Sequence, residues 1–239
     1  VAAESFWAAI ALSGIAGAAI PLGGAISAID RIRPNWLEQE LRHTVAAFGG
    51  GALLSAVALV LLPEGTARVG PGLALLLFGL GGLAFFIVDR ALHERGSSTA
   101  QLLAMLLDFL PEAMALGALL VSDRATALLL AILIALQNIP EAFTAFRELK
   151  SSSAIRTGRL LLLFAAIALL GPLAAILGEE VLINLPGLLG GIMLFAGGGI
   201  LYLIFADIAP QARLDQHWAP PLGAVGGFML GLAGSLFIG

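Results

Sequence analysis

The chain has no cysteine, which excludes disulfides and thiolate metal sites and leaves oxygen or imidazole as the only strong metal ligands. Charge is scarce too: Asp, Glu, Lys and Arg make up 12% of the 239 residues, against 59% hydrophobic. A soluble globule of that composition would lack polar surface to cover itself. No polybasic tract points to nucleic acid as a partner. There is no His-Glu-x-x-His helix, no Gly-x-Ser-x-Gly elbow and no Gly-x-Gly-Asp context around Asp207, so the common hydrolase signatures are absent. Only three histidines occur, His43, His93 and His217, all near polar junctions, where they are expected to be solvated.

What the chain has instead is long apolar runs, with a mean hydropathy of +1.01. A bilayer core about 30 Å thick takes about 20 apolar residues per helix. The sequence divides on that basis into about eight spans, near 5–29, 42–62, 71–92, 100–121, 125–147, 157–180, 187–209 and 220–238. The runs are continuously apolar, whereas barrel strands would alternate, so the expected class is an all-α, polytopic membrane bundle forming one domain over residues 1–239. The first run is too long for a signal-peptide core and lacks a basic leader, so it is expected to remain as a span. Short loops separate the runs, the longest a flexible connector around Ser151-Ser152-Ser153.

Ten of the twelve basic residues fall in or beside the first, third, fifth and seventh loops: Arg31, Arg33, Arg42, Arg90, Arg95, Arg147, Lys150, Arg156, Arg159 and Arg213. Only Arg68 and Arg124 fall in the others. The positive-inside rule puts the odd loops in the cytoplasm and both termini outside it; a bacterial inner membrane is the expected location.

Two copies of one pattern interrupt the apolar runs: Asp108-Phe109-Leu110-Pro111-Glu112-Ala113 and Gln137-Asn138-Ile139-Pro140-Glu141-Ala142. A carboxylate near a bilayer centre costs at least a few kcal/mol, so it is expected to face a bundle interior or a cavity and to have a function there. The copies are 29 residues apart, one helix plus a short turn, so they lie on consecutive antiparallel spans and can face each other. Within each copy the outer polar positions are four residues apart, which stacks Asp108 on Glu112 and Gln137 on Glu141; Asn138, three before Glu141, can join that face. Each proline frees the carbonyl four residues earlier, at Leu107 and Leu136. Four or five oxygen donors thus converge from two helices, a site for a cation.

Asp207, before Pro210, is a further candidate near the cytoplasmic mouth. Glu64, in Leu62-Pro63-Glu64-Gly65, is either an outer entrance or a solvated helix end. Asp89 beside Arg90 is expected to form an interfacial ion pair, and Trp36, Tyr202 and Trp218 to anchor the interface. Glycine clusters at 49–51, 79–82 and 197–199 are expected to allow close helix packing, and such faces would serve a homodimer as well as a monomer.

These motifs resemble the ZIP (Zrt-/Irt-like protein) family of divalent metal transporters, over most of the chain. The resemblance implies eight transmembrane helices with both ends outside the cytoplasm. The family's fourth span typically reads His-Asn-x-Pro-Glu-Gly, matched by Asp108 to Ala113. Its fifth reads the same, or Gln-Asp-x-Pro-Glu-Gly, matched by Gln137 to Ala142. Phe48-Gly49-Gly50-Gly51, Leu61 to Gly65, and Asp89-Arg90 with His93 are similar to family features too. The ligands carried over are Asp108, Glu112, Gln137, Glu141, Asn138 and Asp207. The metal site is divergent: Asp108 and Phe109 replace the fourth-span His and Asn, and Gly171-Pro172 stands where the sixth span usually brings a glutamate. One metal position is therefore expected instead of two.

The expected function is passage of a divalent cation toward the cytoplasm, zinc by family default, with the all-oxygen donor set also suiting Mn²⁺, Fe²⁺ or Cd²⁺. The metal is cargo, and no cofactor is expected. Carboxylates sharing a small volume repel one another when empty, so binding should release protons and weaken at low pH. The alternative is a homologue with a degraded site that senses metal or carries another small solute. A lipid-pyrophosphate phosphatase is disfavoured because no span interior offers an arginine for phosphate, so the chain is not expected to be an enzyme.

Overall fold

A computed structural model describes residues 2–29, 35–94, 100–212 and 219–238. Arg31, Arg33, Arg95, Arg213, His217 and Trp218 lie outside the described residues, as do the side chains of Trp36 and His93. Among the described residues the chain is all helical, with eight helices long and apolar enough to cross a membrane.

In chain order these are α1, Ala2–Ile29; α2, Asn35–Ala56, continued by Val57–Leu61 and Leu62–Thr66; α3, Pro71–Glu94; α4, Ala100–Ser122; and α5, Arg124–Ser152. Then come α6, Thr157–Ala168 and Leu170–Glu180; α7, Pro186–Leu203, continued by Ile204–Ile208 and Ala209–Gln211; and α8, Ala219–Phe237. A 3₁₀ turn, Leu182–Asn184, separates α6 from α7.

The expected limits hold to within a few residues, with one correction. The serine connector is shorter than expected: α5 runs through Ser152, and the non-helical link is 153–156. Ser151 and Ser152 donate to the Glu148 carbonyl at 2.9 and 2.6 Å, and Ser153 donates to that of Leu149 at 2.5 Å. These bonds satisfy carbonyls that a helix end would otherwise leave open.

The continuations of α2 and α7 are single turns of π-helix, closed by Leu62 N–H to Val57 O and by Ala209 N–H to Ile204 O. Each turn is followed two residues later by a proline, Pro63 or Pro210. Proline cannot donate to the carbonyl four residues back, and a wider turn is one way to reclose the ladder. Pro111 and Pro140, in contrast, are absorbed within α4 and α5, which are α-helical along their length.

The helices pack as two groups. In one, α1 lies on α5 and α6, and α4 lies on α5 and α6; in the other, α2 lies on α8, and α3 and the end of α2 lie on α7. Glycine sets the closeness. A Cβ at Gly117 of α4 would strike the Ala175 carbonyl of α6, and one at Gly178 of α6 the Met114 carbonyl of α4. Gly81 and Gly198 are related in the same reciprocal way to carbonyls of α7 and α3, as are Gly51 and Gly227 to carbonyls of α8 and α2. Gly79 departs from the packing expectation, since it faces open space.

A seam where α2 meets α5 and α4 meets α7 joins the groups. There Gly49 receives the ring of Pro140, which a Cβ would displace. The polar motifs of α4 and α5 lie inside the bundle, since Asp108, Glu112, Gln137, Asn138 and Glu141 are all buried.

Candidate functional site

The four-residue spacing works as expected across α4 and α5. Gln137 Nε2 donates to Glu112 Oε2 at 2.5 Å, which ties the two motifs at their closest approach. Asp108, four residues before Glu112, keeps one oxygen on the backbone N–H of Phe109 at 2.7 Å. Asp108, Glu112 and Glu141 are mutual electrostatic neighbours, and the Asp108 and Glu141 carboxyls lie within hydrogen-bond reach of each other. No cation pairs with any of the three among the described residues.

The hydrogen bonding of this cluster is incomplete in one direction only. Glu112 Oε1, Gln137 Oε1, Asn138 Oδ1 and both oxygens of Glu141 are buried and receive no donor. Five acceptors are thus left open, all on neighbouring turns of α4 and α5. Buried acceptors without donors cost about 1–3 kcal/mol each, more when charged. What fits this demand is a cation or a hydrogen-bond donor: a metal ion, a proton or water. The donor set, carboxylate and amide oxygen without nitrogen or sulfur, is that of a hard or borderline divalent ion.

Asp207 joins from the other helix group. It lies in the π turn of α7 and, with Asp108 and Glu141, lines a cavity of about 20 Å³ that Leu53, Met105, Leu203 and Ile208 also border. That is room for about one water molecule. Asp207 therefore lies at the seam, opposite the two α4–α5 carboxylates. Asn138 is turned elsewhere, its Nδ2 donating at 3.4 Å to the Ala16 carbonyl of α1. Among the described residues no three His, Asp or Glu side chains are gathered as ligands around one point, so the carboxylates form a loose cluster and not a closed cage.

Phe109 and the sixth span explain each other sterically. Phe109 is fully buried, and its ring edge lies where a side chain at Gly171 would have to go and close to the Cβ position of Gly17. The volume between α1, α4 and α6 is filled by phenyl.

The other acids singled out in the sequence, Glu64 and Asp89, are already engaged. Glu64 pairs with Arg68, four residues on, at 2.5 Å, and the same Arg68 nitrogen donates to the Glu64 carbonyl at 2.6 Å. The expected Asp89–Arg90 pair does not form: Arg90 Nε bonds Glu94 at 2.8 Å, and Asp89 accepts the Tyr202 hydroxyl of α7 at 2.7 Å. A residue on one helix face reaches its neighbour at i+4 more easily than the adjacent residue, which points about 100° away. Tyr202 is thus a link between α3 and α7, where an interfacial anchor was expected. Sequence reasoning passed over it because only the packing of α3 on α7 brings it to Asp89.

No protein-family model matches this chain, and no curated protein matches it.

Proposed function

We propose that the chain carries a divalent metal cation through the membrane toward the cytoplasm in the manner of ZIP transporters. The observation behind this reading is the set of five donorless buried oxygens on Glu112, Gln137, Asn138 and Glu141, beside a third carboxylate from Asp108. Three uncompensated carboxylates in a helix bundle are costly to keep, and a dication removes that cost in one step.

In this reading Asp108, Glu112 and Glu141 supply charge, the Gln137 amide oxygen is a neutral ligand, and Asp207 receives the ion from across the seam. Glu112 is held by Gln137, so its free oxygen is presented at a fixed place. Asn138 holds the Ala16 carbonyl through Nδ2, which leaves its Oδ1 as a further neutral oxygen. The Glu64 carboxylate binds cargo only if it parts from Arg68. Movement of the α1, α4, α5, α6 group against the other would carry Asp108 and Glu141 past Asp207, since these residues belong to different groups. The protein would sit in a bacterial inner membrane with both termini outside the cytoplasm, the orientation that the arginine distribution favours.

One observation favours the second reading, a ZIP-like homologue that senses metal or carries a different solute. Phe109 fills the volume beside Gly171 with hydrocarbon, so α6 brings no ligand there.

The deciding experiment is uptake by purified protein in liposomes, offered Zn²⁺, Mn²⁺, Fe²⁺, Cd²⁺ and Mg²⁺ separately, with internal metal counted by mass spectrometry. Saturable flux that Glu141→Ala abolishes supports the transporter. Stoichiometric binding without flux supports the sensor, and neither binding nor flux of any metal removes both metal readings.

A further inference from the structure

Between α2, α7 and α8 runs a groove of about 620 Å³ in which every lining residue is apolar. Its floor is α2, where Ala47, Gly50 and Gly51 are buried, and its rim carries Phe205, Val225 and Met229, which are exposed. Glycine keeps the floor low. A Cβ at Gly50 would meet Cγ2 of Ile208 at 2.6 Å, so Ile208 rests on α2 backbone. The same Ile208 borders the small cavity that Asp108, Glu141 and Asp207 line.

We infer that this groove binds one acyl chain of a bilayer lipid, lying along the helices. On α8 the lining runs from Pro221 to Leu232, a length of about 16 Å at the helical rise. The volume spread over that length leaves a cross-section of about 40 Å², a channel about 7 Å wide, whereas a helix with its side chains is about 10–12 Å across. A span of a second copy is therefore too thick to lie in it. A hydrocarbon chain, whose carbons pack at about 4 Å from their neighbours, fits singly. Water has nothing to bond there, since no lining side chain is a donor or an acceptor, and apolar cavities of this kind stay dry. An empty groove would forfeit dispersion contacts along its floor and both walls. A chain inside it touches three helices, where a chain on the outer face of α3 touches one, so it is held more tightly than the surrounding lipid. Packed against Ile208, it is one side chain away from the carboxylates, and it is held there whatever the carboxylates bind.

The test places the full chain in phosphatidylcholine vesicles doped with phosphatidylcholine that carries a diazirine in one acyl chain, near the ester in one batch and at the methyl end in another. After illumination, peptide mass spectrometry maps the adducts. The groove positions of α7 and α8 are expected to carry about fivefold more label than Leu75, Leu76 and Leu83, which are exposed on α3. The two batches should mark opposite ends, Ala212 with Pro221 and Ile204 with Leu232. Ala224→Phe and, separately, Ala212→Leu put carbon into the groove and should each cut its label about fivefold. Label on α3 should not change, and comparing the same residues between parent and variant removes differences in their reactivity. If one variant misfolds, the other and the parent's own ratio still decide. Label spread evenly over α3, α7 and α8, or unaffected in the folded variants, means ordinary contact with bulk lipid and overturns the inference. So does a groove that takes no lipid label and crosslinks to a second copy.

Discussion

Gln137 of α5 gives its amide proton to Glu112 of α4, and each of the two side chains keeps one buried oxygen with no donor. The bond fixes how two antiparallel helices meet while leaving both residues open toward a third party. Replacing Gln137 by Met keeps the volume and strands Glu112. The expected loss is about 1–3 kcal/mol of stability in metal-free protein. In a double-mutant cycle with Glu112→Met the two changes should be non-additive by at least about 0.5 kcal/mol, measured by chemical or thermal denaturation in detergent.

Glu141 should show the opposite sign. Both of its oxygens are buried without a donor, so Glu141→Gln removes an uncompensated charge and keeps the shape. The variant should melt at a higher temperature than the parent in chelator, by the equivalent of about 1–4 kcal/mol. On the proposed metal reading, added metal should stabilise the parent and not this variant. A lower melting temperature in chelator would mean that Glu141 is a structural acid.

Phe109 and Gly171 should behave as one unit. Phe109→Ala leaves a void among α1, α4 and α6, with an expected cost of about 3–5 kcal/mol. Gly171→Ala forces a methyl group onto the ring edge and should cost about 1–3 kcal/mol. Combined with Phe109→Leu, which lacks that edge, Gly171→Ala should cost much less. Melting curves of the four proteins measure this coupling.

Asp123 caps α5, accepting the N–H groups of Ala125 and Thr126 at 3.1 Å and the Thr126 hydroxyl at 2.6 Å. The Thr126 hydroxyl first, and then the backbone N–H groups, hold its carboxyl below the usual range. Asp123→Ala should cost about 1 kcal/mol at neutral pH. The pKa is lowered on folding, so this contribution is complete above the unfolded value of about 3.9 and is lost as pH falls through the lower folded one. The gap between parent and variant melting temperatures should close only in that acid window.

Metal binding should weaken as pH falls, because protons and cation compete for the same carboxylates. Isothermal titration with the favoured metal in two buffers of different ionisation heat would reveal the released protons. No proton release would argue against carboxylate ligation.

The eight spans and the facing of the two motifs were legible in the sequence because both depend on local periodicity: run length for the spans, and a four-residue step for Asp108 with Glu112 and Gln137 with Glu141. What was not legible depends on which helix stands opposite. Asn138 shares the expected face by spacing, but its Nδ2 bonds the Ala16 carbonyl, because the packing of α1 on α5 brings that carbonyl within reach. Asp207, expected at a mouth, also lines a small cavity with Asp108 and Glu141, a neighbourhood that only the α4–α7 contact creates. Asp89 went to Tyr202 for the same kind of reason. Of the serines after Lys150, which look like a linker by composition, Ser151 and Ser152 are helical, and their hydroxyls serve the last carbonyls.

The two π turns make the length of their spans a setting of phase. An α-helix advances about 100° per residue, and a π turn accommodates one residue more than the α-helical turn it replaces. Everything after Ile208 in α7, and after Leu61 in α2, is rotated relative to the helix before it by that single residue. Deleting one residue from 204–206 would let the turn relax to α-helix and swing Asp207 off the line it shares with Asp108 and Glu141, with no change in the chemistry of any side chain. The span would still be long enough to cross, and the acid would face the wrong way.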